Sequence, residues 1–583
     1  MKKSNFVFGS VPMIRASRSK FDLSFTHKTS GNVGKLYPFF CQEVYPGDTF
    51  KTKSTILARL NSAYLRPVMD NLFLDQYFFF VPSRLVFDKF AQVFGENKDS
   101  AWAVKNPPSI PCFQNTEITG NIALHDNVCA YLYLPVGEDL KENIKDISLL
   151  PARAFALIYD EWFRDENNIQ PMNILKGAAA ASEKLNNNPW SENNYLGKCP
   201  NVAKFHDYFT TCLPSPQKGD PVQAIGAAIS PVNTYSFNDL GYDSLSARLS
   251  SMEGSRNLAW AKFNFDNRKG VVTRDYVKSV DPWANSIGVV SQDQDPVENK
   301  YLSAITVPNE TGGTTQNFAL LPYNLGVAVN PISVNDLRLA FQTQKMLEKD
   351  ARGGTRYREY ILSHFGVSVA DSRVQVPEFL GGKRTPLNVQ QVAQTSQATT
   401  DSPLASLGAY SLSFGQSGFS KGFTEHGYII GVMCLRYHHT YQQGVERFAF
   451  RKNRLDFYDP VFANIGEQPV YKKELFAGAA ADSVFGYQEA WADLRYRPSR
   501  VSGQLASKAT NTLDIYHFAD EYVKAPTLSG GFINETDSNF ARTIAIADAQ
   551  SADSDQFVFD IYCQNEAIRE LPVYSVPSLI DHN

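Results

Sequence analysis

The sequence is poor in the features that usually announce chemistry. Its seven cysteines, at 41, 112, 129, 199, 212, 434 and 563, are an odd set with no Cys-x-x-Cys pair. That spacing excludes a zinc ribbon and a redox motif. The cysteines are expected as small buried hydrophobes in a reducing cytoplasm. No apolar run approaches the ~18 residues of a membrane span, so no membrane insertion is expected. Net charge is only −4, with 56 Lys and Arg against 60 Asp and Glu. A balance so close to neutral argues against coating nucleic acid with the whole surface. The Met1-Lys2-Lys3 start lacks the apolar stretch of a signal peptide, because Asn5, Gly9, Ser10 and Pro12 interrupt it. Export by that route is not expected.

Catalytic signatures are missing too. Gly415-Gln416-Ser417-Gly418 sets its serine beside the last glycine, unlike a nucleophile elbow. Gly381-Gly382-Lys383-Arg384 resembles the end of a P-loop, but Pro377 and Arg384 occupy positions that need Gly and Ser/Thr. His438 and His439 are adjacent, and neighbouring strand residues point to opposite faces, so a shared metal ion is not expected. Carboxylates are plentiful, yet no local signature selects a pair for sugar hydrolysis. The reading is of a protein that is not an enzyme and needs no cofactor or metal.

What the sequence does contain is aromatic residues (13%), with 36 Gly and 31 Pro as punctuation. Short apolar runs at 55–60, 77–81, 131–134, 428–438, 514–518 and 557–563 are expected as strands. Strands this dispersed pair over long distances, which suits an all-β-dominated sandwich with long connections better than βαβ repeats. Three helices are expected as guests. One spans 333–352, with Leu337, Ala340, Phe341, Leu347 and Ala351 on a core-facing side and a capping box at Ser333 and Asp336. Another spans 152–166, and a third follows Ser83 with Val86, Phe90 and Phe94 on one stripe. Residues 222–329 are polar and turn-rich and are expected as a surface insertion. The expected organisation is an N-terminal arm (1–35), a core with helical loops (36–221), the insertion (222–329) and a second core part (330–583).

Charge is unevenly distributed. Residues 1–35 carry Lys2, Lys3, Arg15, Arg18, Lys20, Lys28 and Lys35 against Asp22 alone, a balance of +6 that leaves −10 for the rest. Lys2, Lys3, Arg15, Arg18 and Lys20 are candidate phosphate contacts. A second basic and aromatic stretch holds Arg447, Phe448, Phe450, Arg451, Lys452 and Arg454. Of these, Arg447, Phe450, Arg451, Lys452 and Arg454 are candidate DNA contacts; the competing reading is a network of inter-subunit ion pairs. Trp260 and Trp283 are candidate attachment residues within the insertion.

Several blocks also form a recognisable set. Phe21–Thr29 by number (21–29, FDLSFTHKT), 43–50 (EVYPGDTF), 69–71 (MDN) and 78–82 (FFFVP) resemble the major capsid protein of microviruses, closest to the gokushovirus branch. The likeness continues through 161–166 (EWFRDE), 206–210 (HDYFT), 213–219 (LPSPQKG), 351–357 (ARGGTRY), 377–382 (PEFLGG) and 491–499 (WADLRYRPS). Residues 59–64 (RLNSAY) depart from the family's run, and the insertion matches nothing in it. The resemblance implies an eight-stranded viral jelly roll and a homo-oligomeric icosahedral shell around circular single-stranded DNA. It also implies a three-fold protrusion that meets a host receptor, a minor or pilot protein and a small DNA-binding protein as partners, and assembly in the host cytoplasm into the virion. Two other readings stand beside it: a phage-particle jelly-roll protein that binds or degrades glycans, and a metal-dependent cupin, which the missing His-x-His disfavours.

Overall fold

Alternation at period two, sustained over long segments, is what lets this chain build sheets with one wet and one dry face. The computed structural model describes residues 18–97, 107–113, 126–135, 146–180, 182–220, 334–395, 405–544 and 555–574, together with the backbone of four strands between 258 and 322. In chain order the strands begin with β1 (Ser19–Asp22), β2 (Phe25–Gly31), β3 (Leu36–Val44), β4 (Thr49–Leu60) and β5 (Leu72–Pro82). Next come β6 (Leu258–Asp266), β7 (Val271–Tyr276), β8 (Ile305–Thr306) and β9 (Asn317–Pro322). The last are β10 (Glu378–Leu387), β11 (Val389–Ala393), β12 (Leu407–Gly422), β13 (Gly427–Tyr437), β14 (Glu467–Tyr471), β15 (Val484–Glu489) and β16 (Phe557–Arg569).

Every pairing between these strands is antiparallel. One sheet runs β1-β16-β4-β12-β11, and β2 lies end to end with β1 along the same edge of β16. The other runs β10-β5-β13-β3. Taking β1 with β2 as one strand, the eight long strands in chain order divide between the sheets as 1-8-3-6 and 5-4-7-2. Burial follows the sequence pattern. In β4, β12 and β16 almost every second residue is buried, whereas β5 and β13 are buried on both faces.

Phe78 and Phe79 show why the second sheet is dry on both sides. Phe78 packs against Phe39, Phe40 and, across the sandwich, Phe419 of β12, with ring centroids 5.2–5.8 Å apart. Phe79 points the other way, onto Trp162 and Phe163. These belong to the helix Leu150–Ile158 and the π-helical turn Tyr159–Phe163 that continues it, close to the expected 152–166. Neighbouring strand residues face opposite sides, so an unbroken apolar run needs a layer on each side.

By contacts the chain divides into two compact units, Met1–Asp220 with Met346–Asn583, and Pro221–Lys345. In the second unit the strands run β7-β6-β9-β8.

Several sequence expectations are corrected. Residues 131–134 are not a strand: Val128–Leu132 is a short helix, because the Asn127 side chain accepts the Cys129 N–H at 2.8 Å and caps it. Residues 514–518 hold a 3-10 turn, Asp514–Tyr516, after which the Phe518 N–H donates to Asp70 at 2.7 Å. The single helix after Ser83 is two short pieces, Ser83–Leu85 and Phe90–Val93. Val86 and Phe90 are buried as expected, but Phe94 is exposed and stacks on His426 at 4.4 Å. The helix Val334–Gly353 forms where expected, yet its Leu337 and Phe341 are exposed rather than core-facing. The cysteines are all free; five are buried and two, Cys41 and Cys112, half-buried.

Candidate functional site

The described part of the arm is extended because β16 supplies its partner. That pairing also fixes its charges. Arg18 meets Glu570 at 2.8 Å and Lys20 meets Glu566 at 3.0 Å, and both cationic side chains stay more than half exposed. Exposed pairs of this kind contribute about 0–1 kcal/mol. Lys2, Lys3 and Arg15 lie outside the described residues.

The basic and aromatic stretch is split by the fold. Its first turn, Arg447–Phe450, seats Arg447 against the Pro469 carbonyl at 2.7 Å and Glu474 at 3.4 Å, with the guanidinium 5.5 Å from the Tyr471 ring. Burial raises the Glu474 carboxyl, while the Tyr471 N–H and Arg447 oppose that rise. Arg451 pairs with Asp493, and Phe450 lies edge-on to Tyr471. Arg447 and Arg451 thus form ion pairs inside one subunit. The second turn, Arg454–Asp456, leaves Lys452 and Arg454 exposed, with no ion pair among the described residues. Asp456 accepts the N–H groups of Lys452 and Asn453 at 2.8 and 2.7 Å, which holds its carboxyl below the usual range. Within this turn and just after it, Leu455, Phe457, Tyr458, Val461, Phe462 and Ile465 are all exposed. Six large apolar side chains within eleven residues form the kind of surface that marks a protein–protein contact.

Of the insertion candidates, Trp260 lies on β6 in register with Leu320 of β9, and Trp283 lies outside the described residues.

The sequence reading missed two buried polar centres. Asp75, fully buried in the apolar strand β5, receives Arg384 of β10 at 2.8 Å and Arg436 of β13. Both guanidiniums lie over the Phe205 ring, at 3.9 and 4.5 Å. The signal was there: one carboxylate inside LFLDQYFFFV requires a cation in a neighbouring strand. This also explains the glycines before Arg384. A Cβ on Gly381 would sit 2.8 Å from the Gly418 carbonyl of the facing sheet, so these residues serve close packing, not phosphate binding.

The second centre surrounds His439. Its Nδ1 lies 2.8 Å from Asp520 and its Nε2 2.9 Å from Glu535. Lys204, Tyr522 and Asn539 also bond Asp520. Burial alone would lower the imidazole pKa, but the two carboxylates outweigh it and push it up to about 9. Burial would likewise raise Asp520, and His439 with Lys204 drives it well below the usual range instead. His438 points elsewhere, onto Phe205, and its pKa is lowered by burial and nearby Arg384. The two histidines do not share a site. Among the described residues no cluster of three or more His, Cys, Asp or Glu is placed to hold a metal, and no helix is long and apolar enough to cross a membrane.

Sheets of this kind joined by long loops, with ion-paired interiors and exposed apolar loops, suit a subunit that is completed by its neighbours. The family described as capsid protein (F protein) matches residues 9–579. The chain belongs to that phage capsid protein family. Its relatives agree over nearly their whole length. It is 37% identical to capsid protein VP1 of Spiroplasma virus 4, over 96% of this chain and 95% of the relative. It is 34% identical to capsid protein VP1 of Chlamydia phage 1, over 98% and 97%. Capsid protein VP1 of Bdellovibrio phage phiMH2K is 33% identical, again over 98% and 97%. The microvirus capsid resemblance drawn from the sequence blocks is thereby borne out. These relatives are capsid proteins by name rather than enzymes, and the capsid role accounts for a surface whose apolar residues await a neighbour.

Proposed function

We propose that this chain is the major shell subunit of a gokushovirus-like particle, self-assembling into a T=1 icosahedral shell around circular single-stranded DNA. The observation that carries the reading is a capsid family match across residues 9–579 on a chain with two facing antiparallel sheets. The strand order supports a jelly roll as the core. Eight long strands that divide 1-8-3-6 and 5-4-7-2 follow the double Greek-key pattern, in which the last strand returns beside the first. The apolar string from Leu455 to Ile465 is the surface best suited to another copy of the chain.

The finer organisation follows the same reading. The basic segment 1–35 contributes residues 19–31 to the sheet beside β16, 36–221 and 330–583 make the rest of the core, and 222–329 is a surface insertion that serves host attachment. Separate compaction of Pro221–Lys345 supports the insertion as a distinct element. Subunits assemble in the host cytoplasm and end in the virion, with a pilot protein and a small DNA-binding protein as partners. Electron microscopy of the expressed chain tests the shell directly: closed particles are expected, and small oligomers would overturn it. Replacing 222–329 by a short Gly/Ser linker is expected to leave shells intact and reduce adsorption to the host. Loss of soluble subunit would make that segment part of the core.

A further inference from the structure

Two cavities, of about 630 and 590 Å³, lie on either side of one ridge. Both lie in the larger unit and share Tyr208, Arg495, Tyr496 and Ser499 as a common wall, a trough divided by that ridge. The ridge is part of residues 494–500 (LRYRPSR), which place three arginines within six positions. All three are exposed. Arg495 meets Glu489 at 3.0 Å and Arg500 meets Glu446 at 3.4 Å, both on open surface where such pairs are weak. Arg497 has no ion pair among the described residues.

The trough also contains carboxylates, and their partners decide its character. Glu474 faces Arg447, Asp493 pairs with Arg451, and Asp207 accepts the Tyr441 hydroxyl and the N–H groups of Phe209 and Thr210. The charge left at the trough is Arg495, Arg497 and Arg500, all exposed, against the half-buried carboxylates of Glu446, Glu489 and Asp207, the last bonded only to neutral donors. Ring faces lie beside it. Tyr496 stacks on Tyr208 at 5.3 Å with planes 7° apart, and Phe448, 64% exposed, borders the first cavity. Guanidiniums that alternate with aromatic rings along a groove match a phosphate backbone whose bases need stacking platforms. The nearby 455–465 surface is apolar and carries no such alternation, which makes it the better site for a second copy.

We propose that this trough binds single-stranded nucleic acid, with Arg495, Arg497 and Arg500 taking phosphates and Phe448 and Tyr496 offering faces to bases. The inference rests on the reading of a shell that encloses single-stranded DNA. It shifts the main contact to residues not among the sequence candidates, of which only Arg447 lines the trough.

The test uses the full chain and a labelled 12-nucleotide oligothymidylate, with binding followed by fluorescence anisotropy across a salt series. Each single-strand phosphate contact contributes a slope of about −0.7 in log K against log salt, so R497Q/R500Q is expected to flatten it by roughly 1.4. The R497K/R500K variant retains the charge and is expected to retain the slope. F448A is expected to lose roughly fivefold or more in affinity. Circular dichroism on each variant confirms an intact fold before its binding is read. Unchanged affinity and slope in R497Q/R500Q overturn the proposal, and so does unchanged oligonucleotide binding combined with loss of particles, which makes the trough an interface between copies. Failure of the shell reading itself is a different result: the unmodified chain would form no particles.

Discussion

Asp75 holds two guanidiniums at the centre of an otherwise apolar sheet, and the arrangement is worth more for what breaks it than for what it adds. A buried ion pair roughly balances desolvation against attraction, but removing one partner strands the other charge. Asp75→Asn is therefore expected to cost about 3–5 kcal/mol, read as a lowered chemical-denaturation midpoint. A parallel Arg384→Gln change should cost less, because Arg384 is 42% exposed and Arg436 still serves the carboxylate. His439 gives a pH signature. Its folded pKa, about 9, stands above the 6.5 of an unfolded histidine, so its stabilisation is complete below 6.5 and is lost as pH rises through 9. Asp520 acts in the opposite sense: its pKa is lowered, so its contribution is present above the ordinary carboxylate range and lost in acid. Thermal melts should show a stability drop of about 3 kcal/mol between pH 6.5 and 9. In His439→Gln that drop should disappear; a wild-type profile in this variant would remove His439 as its source.

At the scale of elements, β5 and β13 carry the strongest constraints. Phe79→Ala is expected to cost about 3–5 kcal/mol and to yield aggregated or unassembled protein, measured as soluble and particulate yield. Gly431→Ala in β13 should be comparably damaging for the opposite reason. The added methyl would lie 2.8–3.0 Å from Phe40, Phe78 and Phe39, inside a close-packed core. The same strands explain what was legible from sequence. The unbroken apolar run Phe78–Phe80 could be read as a strand buried on both faces, and residues 428–438 and 557–563 could be read as strands. Residues 131–134 and 514–518 form no strand because both are short segments whose backbone is settled locally, by the Asn127 cap and by a turn that ends in the Phe518 N–H bond to Asp70. Periodicity cannot see either. It also misjudged the helix Val334–Gly353, since an apolar stripe records that a face is to be covered and not by what. The site fared similarly. The basic composition near 447–454 was visible, but only folding reveals that Arg447 and Arg451 are tied to Glu474 and Asp493 while the arginines at 495–500 face water.

At the scale of the whole molecule, the first and last of the described strands share one sheet. The final strand, β16, is an inner strand, bonded to β1 and β2 on one edge and to β4 on the other. A ribosome therefore releases the N-terminal half of this sandwich with its central seat empty, and β4 must wait through some five hundred residues for its neighbour. The wait has a use. A polypeptide cut short anywhere before residue 557 lacks the strand that closes the sheet, and prematurely terminated products are expected to be left out of assembly. Chains stalled just before that strand should remain protease-sensitive throughout residues 19–60, and chains extended past residue 569 and out of the exit tunnel should become resistant. Resistance in the shorter chains would show that the sheet closes without it. Resistance gained only on completion would make the end of translation the step that admits a subunit to assembly.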